Sequence, residues 1–543
     1  MIAVYITVLA LFMAIALVPL LIHWASPLGL VDEPGPRKIH DHAVPRVGGI
    51  AISVGALASI LVWVDLRPEF TGYLLGAVVI SVFGGLDDRF DLDYRLKFLG
   101  QIGGALLCIL IGDIQLTRVP FMYEAVMPGW VGLPLTVVVV VAITNAVNLS
   151  DGMDGLAGST SLAVAAMLGY LAYLGGDKLT ALLALSVIGA TIGFLRYNTF
   201  PARVFMGDAG SQFLGFSMAV LGIIVTERSN TAISPLVPVL VLGLPILDML
   251  YVITRRIREG QSPFKPDRHH LHHRLLDAGL SQYGALLAIY ALQAALMVLA
   301  WLFRYAHDLV LLGVFGAFSA ALLLALNWWQ TQHTEGRALA HRLNFVDALV
   351  NRLKAKDVLR RVGHQGVLYG VSLLFPVVAV WVKFVPPDIG WLALLLAAAA
   401  LIALLPIKLL PCLAIFRMAA FVTAVIVVYL MEFGGLRGSG EVDWLRAYLL
   451  LIAFLVAIWL RFGGGEFHLN ALDVLVILIV AIVPNMPMVR EFDIGPMVIE
   501  TLLLFYASEL ILSERPARWW VFRVSLLFTL GILAVRGLLF PGG

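Results

Sequence analysis

Two adjacent carboxylates, Asp87 and Asp88, close an apolar run in the segment GGLDDRFDLDYRLKF, residues 84–98. A like-charged pair there is costly unless a cation or hydrogen-bond donor compensates it. The other reading is a solvated helix end. The spacing lacks the central Gly and terminal Glu of an EF-hand, which argues against a calcium loop. In NAVNLSDGMDGLAGS, residues 145–159, Asn145, Asn148, Asp151 and Asp154 recur every three residues. At about 3.6 residues per turn, Asn148 and Asp151 share a helix face. Gly152, Gly155 and Gly158 allow close backbone approach. Oxygen ligands beside flexible glycine suit Mg2+ bound together with a phosphate. Asp208, in RVFMGDAGSQFLGF (203–216), is either a helix N-cap or a metal ligand that meets phosphate at a helix start.

Basic residues accompany these acids. Arg37, Lys38 and Arg46 stand in a loop shaped by Pro34, Pro36, Pro45 and Gly48-Gly49, as phosphate contacts or as juxtamembrane anchors. Residues 255–280 carry six Lys/Arg and four His, with His270, His272 and His273 close together. Imidazole binding of a transition metal is one reading. An anion clamp made with Arg268 and Arg274 is the other, and the absence of nearby Cys or HExxH spacing favours it. Together these segments are the inventory for a Mg2+-assisted reaction of a phosphate or diphosphate.

The elements that must position these residues are membrane helices. Of 543 residues, 61% are hydrophobic and 13% charged, with mean hydropathy +0.94. Disordered, collagen-like, disulfide-scaffold and ordinary soluble classes are excluded. A net charge of +2 gives no global field for nucleic acid. Cys108 and Cys412 sit in apolar runs and suggest neither a disulfide framework nor a metal finger. Residues 1–22 lack a basic leader region and read as a first span, not a cleavable signal. Apolar runs predict spans near 2–23, 48–64, 71–86, 96–112, 130–147, 157–174, 180–196, 211–226, 235–254, 282–302 and 309–327. About seven more follow, near 366–384, 390–406, 412–431, 444–460, 471–489, 494–512 and 519–537. The expected fold is an all-α polytopic membrane bundle of about 18 helices.

With the N-terminus outside, 21 of the first 26 Lys/Arg fall in cytoplasmic loops or the basic linker 328–364. Positive loops face the cytoplasm, so this orientation is expected, and it gathers the polar segments on the cytoplasmic side. The remaining eleven Lys/Arg are spread more evenly over 365–543. There Asp443, Glu466, His468, Asp473, Arg490, Glu491 and Asp493 are scattered near span ends with no dense polar island, as in an accessory bundle.

At this point the sequence resembles a known family. GLVDEPGPRKIHDHAVPRVGGI, GGLDDRFDLDYRLKFLGQ, NAVNLSDGMDGLAGS, VFMGDAGSQFLGF and SPFKPDRHHLHHRL are similar, in order and spacing, to the motifs of the polyprenyl-phosphate N-acetylhexosamine-1-phosphate transferase superfamily, the glycosyltransferase 4 family. The HHLHHRLLDAGLS ending looks like its WecA/TagO-like branch, which uses UDP-N-acetylglucosamine. The resemblance covers about residues 1–327 and implies an eleven-helix transferase core; beyond it lie the basic linker 328–364 and the further spanning helices expected in 365–543. It implies a cytoplasm-facing cleft in a bacterial inner membrane, in which HexNAc-1-phosphate, GlcNAc-1-phosphate above all, passes from UDP-HexNAc to undecaprenyl phosphate. The products are undecaprenyl-diphosphate-HexNAc and UMP, the first step of an O-antigen, enterobacterial-common-antigen-like, teichoic-acid or exopolysaccharide glycan.

The resemblance also implies roles for individual residues. Asp208 matches the family's Mg2+ ligand and Asn148 the asparagine that joins it, with Mn2+ as an alternative ion. Asp87 and Asp88 match the aspartate pair, and Asp151 and Asp154 the acidic positions near nucleotide and metal; these four are expected to be catalytic. Lys38, His40, Arg46, Lys97, Asn145, Arg268, His270, His272 and His273 are expected to bind substrate. His269 has no assigned role. The C-terminal helices would dock a downstream glycosyltransferase or flippase, and no nucleic acid is expected. A CDP-alcohol phosphotransferase would need a G-x3-D-x3-D continuation that DGMDGLAGST lacks. A transporter or scaffold for polyprenyl-linked intermediates is the alternative; a transporter should carry its polar residues mid-span.

Overall fold

The computed structural model describes residues 2–33, 43–64, 66–119, 121–122, 125–262, 270–331, 357–404, 412–434, 441–462, 495–513 and 519–539. The chain forms two compact units, Met1–Phe345 and Val346–Gly543.

In the first unit, apolar runs fold as helices because a helix satisfies its own backbone donors and acceptors without water. These are α1 (Ile2–Ala25), α2 (Gly48–Trp63), α3 (Pro68–Phe90), α4 (Tyr94–Gly112), α5 (Gly129–Leu149), α6 (Leu156–Leu174), α7 (Lys178–Asn198) and α8 (Gly207–Ile224), the last extended by a π-helical turn over Val225–Ser229. They are followed by α9 (Val237–Val241), α10 (Gly243–Arg258), α11 (Leu271–Asp277), α12 (Gln282–Leu302) and α13 (Asp308–Thr331). Local sequence sets several ends. Pro68 starts α3, Asp91 ends it in the left-handed region at φ 49°, and the Asp177 carboxylate caps α7 by accepting from Thr180 N at 3.0 Å.

α8 is the axis of this unit. It is buried along its length and packs against α2, α3, α5 and α6. Its start is held against α2 through glycine: a Cβ on Gly49 would lie 2.0 Å from Gly210 N, so only bare backbone fits there. Two departures from the sequence reading stand out. The all-α expectation omits a two-residue antiparallel pair, β1 (Val31–Asp32) with β2 (Val44–Pro45). The single span expected over 235–254 is instead the separate helices α9 and α10. Pro238 and Pro245 lack amide donors, and Gly243 packs under Leu296 where a Cβ would come within 2.9 Å.

The second unit contains α14 (Asp357–Trp381), α15 (Pro387–Ile402), α16 (Cys412–Phe433), α17 (Glu441–Phe462), α18 (Gly495–Ser513) and α19 (Trp520–Leu539). α16 and α18 run antiparallel, joined by an Arg417–Glu509 ion pair at 3.0 Å and by Phe421 against Phe505. Glu432 and Glu500 are also buried in these helices. Ionisable groups therefore lie inside the spans, beyond the span-end residues noted from sequence. Of those, Glu466, His468, Asp473, Arg490, Glu491 and Asp493 lie outside the described residues, as does the predicted span 471–489.

Among the described residues, eleven helices are long and apolar enough to cross a membrane, with five shorter apolar stretches beside them. The protein is thus a polytopic helical membrane protein.

Candidate active site

The residues singled out from sequence meet at one end of α3, α4, α5 and α8. Asp87 and Asp88 occupy the last turns of α3, Lys97 the first turn of α4, Asn148 the end of α5 and Asp208 the first turn of α8. Lys97 Nζ lies 2.5 Å from Asp87 Oδ2 and 3.4 Å from Asp208 Oδ2. Asn148 Nδ2 donates to Asp208 Oδ1 at 3.0 Å and to Ser211 Oγ at 2.8 Å.

The aspartate pair divides its work. Asp87 is 5% exposed, and its Oδ1 accepts from Leu92 N at 2.8 Å while Oδ2 faces Lys97. Asp88 turns the other way. Its two oxygens accept from Asp208 N at 2.7 Å and Ala209 N at 3.0 Å, across the start of α8. Gly207 makes this possible with φ +68° and no side chain, since a Cβ would meet Asp88 Oδ2 at 2.5 Å. Asp88 therefore anchors the backbone that presents Asp208.

Asp151 is half-buried in the turn between α5 and α6. Burial and the Asp208, Asp88 and Asp154 carboxylates push it up to about 7, opposed by Arg46. Arg46 itself pairs with Asp32 across the β1–β2 ladder. Asp154 accepts from Ala202 N at 2.9 Å and so braces the loop before α8. Asn198 locks the same junction, accepting from Gly155 N at 3.0 Å and donating to Val204 O at 2.9 Å. Asn145 lies one turn deeper than Asn148, with Nδ2 committed to Gln101 Oε1 at 2.7 Å and Val141 O at 2.8 Å.

The histidine segment closes over the acidic turn. His270 and His272 rings stack at 5.8 Å, and His272 meets His273 at 4.2 Å. His272 is 3% exposed, and burial with the adjacent His273 and His270 pushes its pKa down to about 3. It is a neutral ring at physiological pH, so the anion clamp expected from sequence does not draw a cation from His272. Lys38, His40 and Arg268 lie outside the described residues.

Sequence reasoning passed over four participants: Asp248, Gln101, Gln212 and Asn198. Asp248, buried in α10, meets His270 Nδ1 through Oδ2 at 2.8 Å and accepts from Leu271 N through Oδ1 at 2.6 Å. A lone acid in the apolar run GLPILDMLYV was the available signal.

The donor set is one of hard oxygens, and among the described residues no three His, Cys, Asp or Glu side chains form a preformed metal cage. That suits Mg2+, which is commonly held by one or two carboxylates together with substrate phosphates. Asn148 would have to turn its amide to offer Oδ1 to an ion.

Residues 70–226, which contain all the members of the α3/α4/α5/α8 cluster, match glycosyl transferase family 4. The chain is 40% identical over 285 residues to a probable undecaprenyl-phosphate N-acetylglucosaminyl 1-phosphate transferase of Bacillus subtilis (strain 168), covering 52% of this chain and 80% of that protein. The chain belongs to glycosyl transferase family 4. It is also similar to undecaprenyl-phosphate alpha-N-acetylglucosaminyl 1-phosphate transferases of Escherichia coli O157:H7, at 32% over 289 residues, and of Yersinia pestis, at 33% over 282. These alignments cover 52% and 51% of this chain and 79% and 77% of the relatives. Within the matched segment the cluster brings acidic groups and a basic group, Lys97, into contact.

Proposed function

We propose that the protein transfers N-acetylglucosamine-1-phosphate from UDP-N-acetylglucosamine to undecaprenyl phosphate, releasing UMP. The observation that carries this reading is the convergence of Asp208, Asn148, Lys97 and the Asp87/Asp88 pair at the ends of four helices, inside the segment matched to the family. The charged residues of this cluster sit at helix ends and not mid-span, which argues against the transporter alternative for this site.

An oxygen of the lipid phosphate forms a bond to the β-phosphorus, and the bond from that phosphorus to the bridging oxygen breaks. UMP departs with the electron pair, and the sugar–phosphate bond stays intact. Asp208 and Asn148 would hold Mg2+, or Mn2+ in its place, which supplies charge neutralisation at the diphosphate. Lys97 offers its ammonium to phosphoryl oxygens beside Asp208, and Arg46 adds positive charge over Asp151. A phosphate monoester has a second pKa of about 6, so the lipid phosphate is already largely dianionic at neutral pH. No strong base is required. Asp87 is engaged by Lys97 and Asp88 by two amides, so both act by position and charge.

The 21-of-26 charge bias supports a cytoplasmic active site in a bacterial inner membrane with the N-terminus outside. Transfer is assigned to residues 1–327. Linker 328–364, whose residues from Asp357 on already belong to α14, leads to helices in 365–543 that dock a downstream glycosyltransferase or flippase, and the product opens a cell-surface glycan. Truncation after the core should leave transfer intact and lower glycan output in cells; unchanged output would refute the docking role.

Purified protein given undecaprenyl phosphate, Mg2+ and UDP-N-acetylglucosamine should release one UMP per lipid-linked product. UDP-N-acetylgalactosamine and a 6-deoxy-HexNAc donor should react more slowly. Absence of UMP release with all three donors would refute the reading.

A further inference from the structure

Beneath the active-site layer lies a second polar layer built from three of its four helices, α4, α5 and α8. One turn deeper than Lys97 on α4 is Gln101, one turn deeper than Asn148 on α5 is Asn145, and one turn deeper than Asp208 on α8 is Gln212. Gln101 Nε2 donates to Gln212 Oε1 at 3.2 Å and approaches Asn145 Oδ1 at 3.5 Å, while Asn145 Nδ2 donates to Gln101 Oε1 at 2.7 Å. Gln101 and Gln212 are each 2% exposed.

Three amides at this depth are costly unless they satisfy one another. An apolar layer would pack α4, α5 and α8 as well, but it would tolerate rotation of each helix about its axis. Hydrogen bonds between named atoms do not. A rotation of α8 that carried Gln212 away from Gln101 would carry Asp208, one turn above, away from Asn148 and Lys97.

We infer that Gln101, Asn145 and Gln212 form a positioning layer that fixes the mutual rotation of α4, α5 and α8, and so the contacts among Lys97, Asn148 and Asp208. They touch neither substrate nor ion and act through the residues above them. The inference rests on the transfer reaction proposed above.

The test is the variant Gln101→Leu/Gln212→Leu. It removes both members of the Gln101–Gln212 pair together; Asn145 loses Gln101 Oε1 but keeps Val141 O, so the cost to stability should be modest. We expect a thermal midpoint close to wild type, a KM for UDP-N-acetylglucosamine within about threefold, and kcat down by about tenfold or more, because small misplacements of catalytic groups are expensive. Gln212→Glu, which keeps an acceptor for Gln101 Nε2, should retain more activity than Gln212→Leu. Wild-type kcat in a folded double variant would overturn the inference. So would equal losses in Gln212→Glu and Gln212→Leu, or unfolding of every variant, which would make the layer merely structural. An inactive wild type would count against the proposed reaction and not against the layer, whose effect would then be read as weakened Mn2+ binding to the substrate-free variants.

Discussion

The His272 ring lies against the Cα of Gly152, so close that a Cβ there would meet Cε1 at 2.3 Å and Nε2 at 2.4 Å. The contact joins the histidine segment of α11 to the acidic turn between α5 and α6. Between buried His270 and half-buried His273, His272 is neutral, and its Nε2 has no hydrogen-bond partner among the described residues. The ring therefore forms a neutral wall against the turn that bears Asp151.

Gly152→Ala should consequently displace His272. The displaced ring is buried, so the thermal midpoint should fall, and kcat should fall by about tenfold or more. In a His272→Ala background the added methyl meets no ring, and the second substitution should cost little further. A double-mutant cycle on kcat measures this coupling. Additive losses would show that the two residues act independently.

Asp88 and Asp208 should respond differently to substitution. Asp208→Asn keeps the side chain's shape and removes a charge from an acidic cluster, so turnover should be abolished in a protein that remains folded. Asp88→Ala strips the acceptors from Asp208 N and Ala209 N at the start of α8, and charge-assisted bonds of this kind are worth about 1.5–3 kcal/mol each. Its thermal midpoint should fall as well as its activity. Near-wild-type turnover by Asp208→Asn would remove it as a metal ligand.

Motif spacing makes the residue types of the site legible in the sequence, because chemistry demands them in recognisable groups. It could not tell which members face the cleft. Asn145 and Asn148 look equivalent in NAVNLSD, yet one turn of helix sends the first into a buried amide layer and the second to Asp208. Asp154 reads as catalytic beside Asp151 but is turned to Ala202 N. Hydropathy located the ends of most described helices to within several residues, although α14 begins at Asp357, well before the span expected from 366. It missed the break between α9 and α10, because an average over 235–254 does not register where two prolines withhold their amides. The pairing of Arg417 with Glu509 was hidden for a related reason: lone charges in separate apolar runs are scored singly, and only antiparallel packing makes them partners.

Asp248 should prove as important to the histidine segment as any histidine in it. Asn at this position has one acceptor oxygen where the carboxylate serves both Leu271 N and His270 Nδ1. Asp248→Asn should lower kcat and speed amide exchange at the start of α11, with stability reduced by about 1–3 kcal/mol for the group left unsatisfied. Exchange at Leu271 unchanged from wild type would show that this carboxylate does not hold the segment.

Asp151 supplies a test with a defined pH sign. Its pKa is raised from 3.8 to about 7, chiefly by burial and then by Asp208, Asp88 and Asp154. The folded state thus holds a proton more tightly than the unfolded chain. The stabilisation this gives is full below pH 3.8 and is lost as pH rises towards 7, beyond which the ionised carboxylate is least favourable in the fold. In EDTA, Asp151→Asn should raise the thermal midpoint at pH 8 and raise it less at pH 5. A divalent cation near Asp208 would compensate the carboxylates directly, so excess Mg2+ should shrink the pH 8 difference. Thermal denaturation in detergent at the two pH values, with and without Mg2+, measures all four cases. A midpoint gain at pH 5 equal to that at pH 8 would show that repulsion among these carboxylates is not what Asp151 contributes to the cleft.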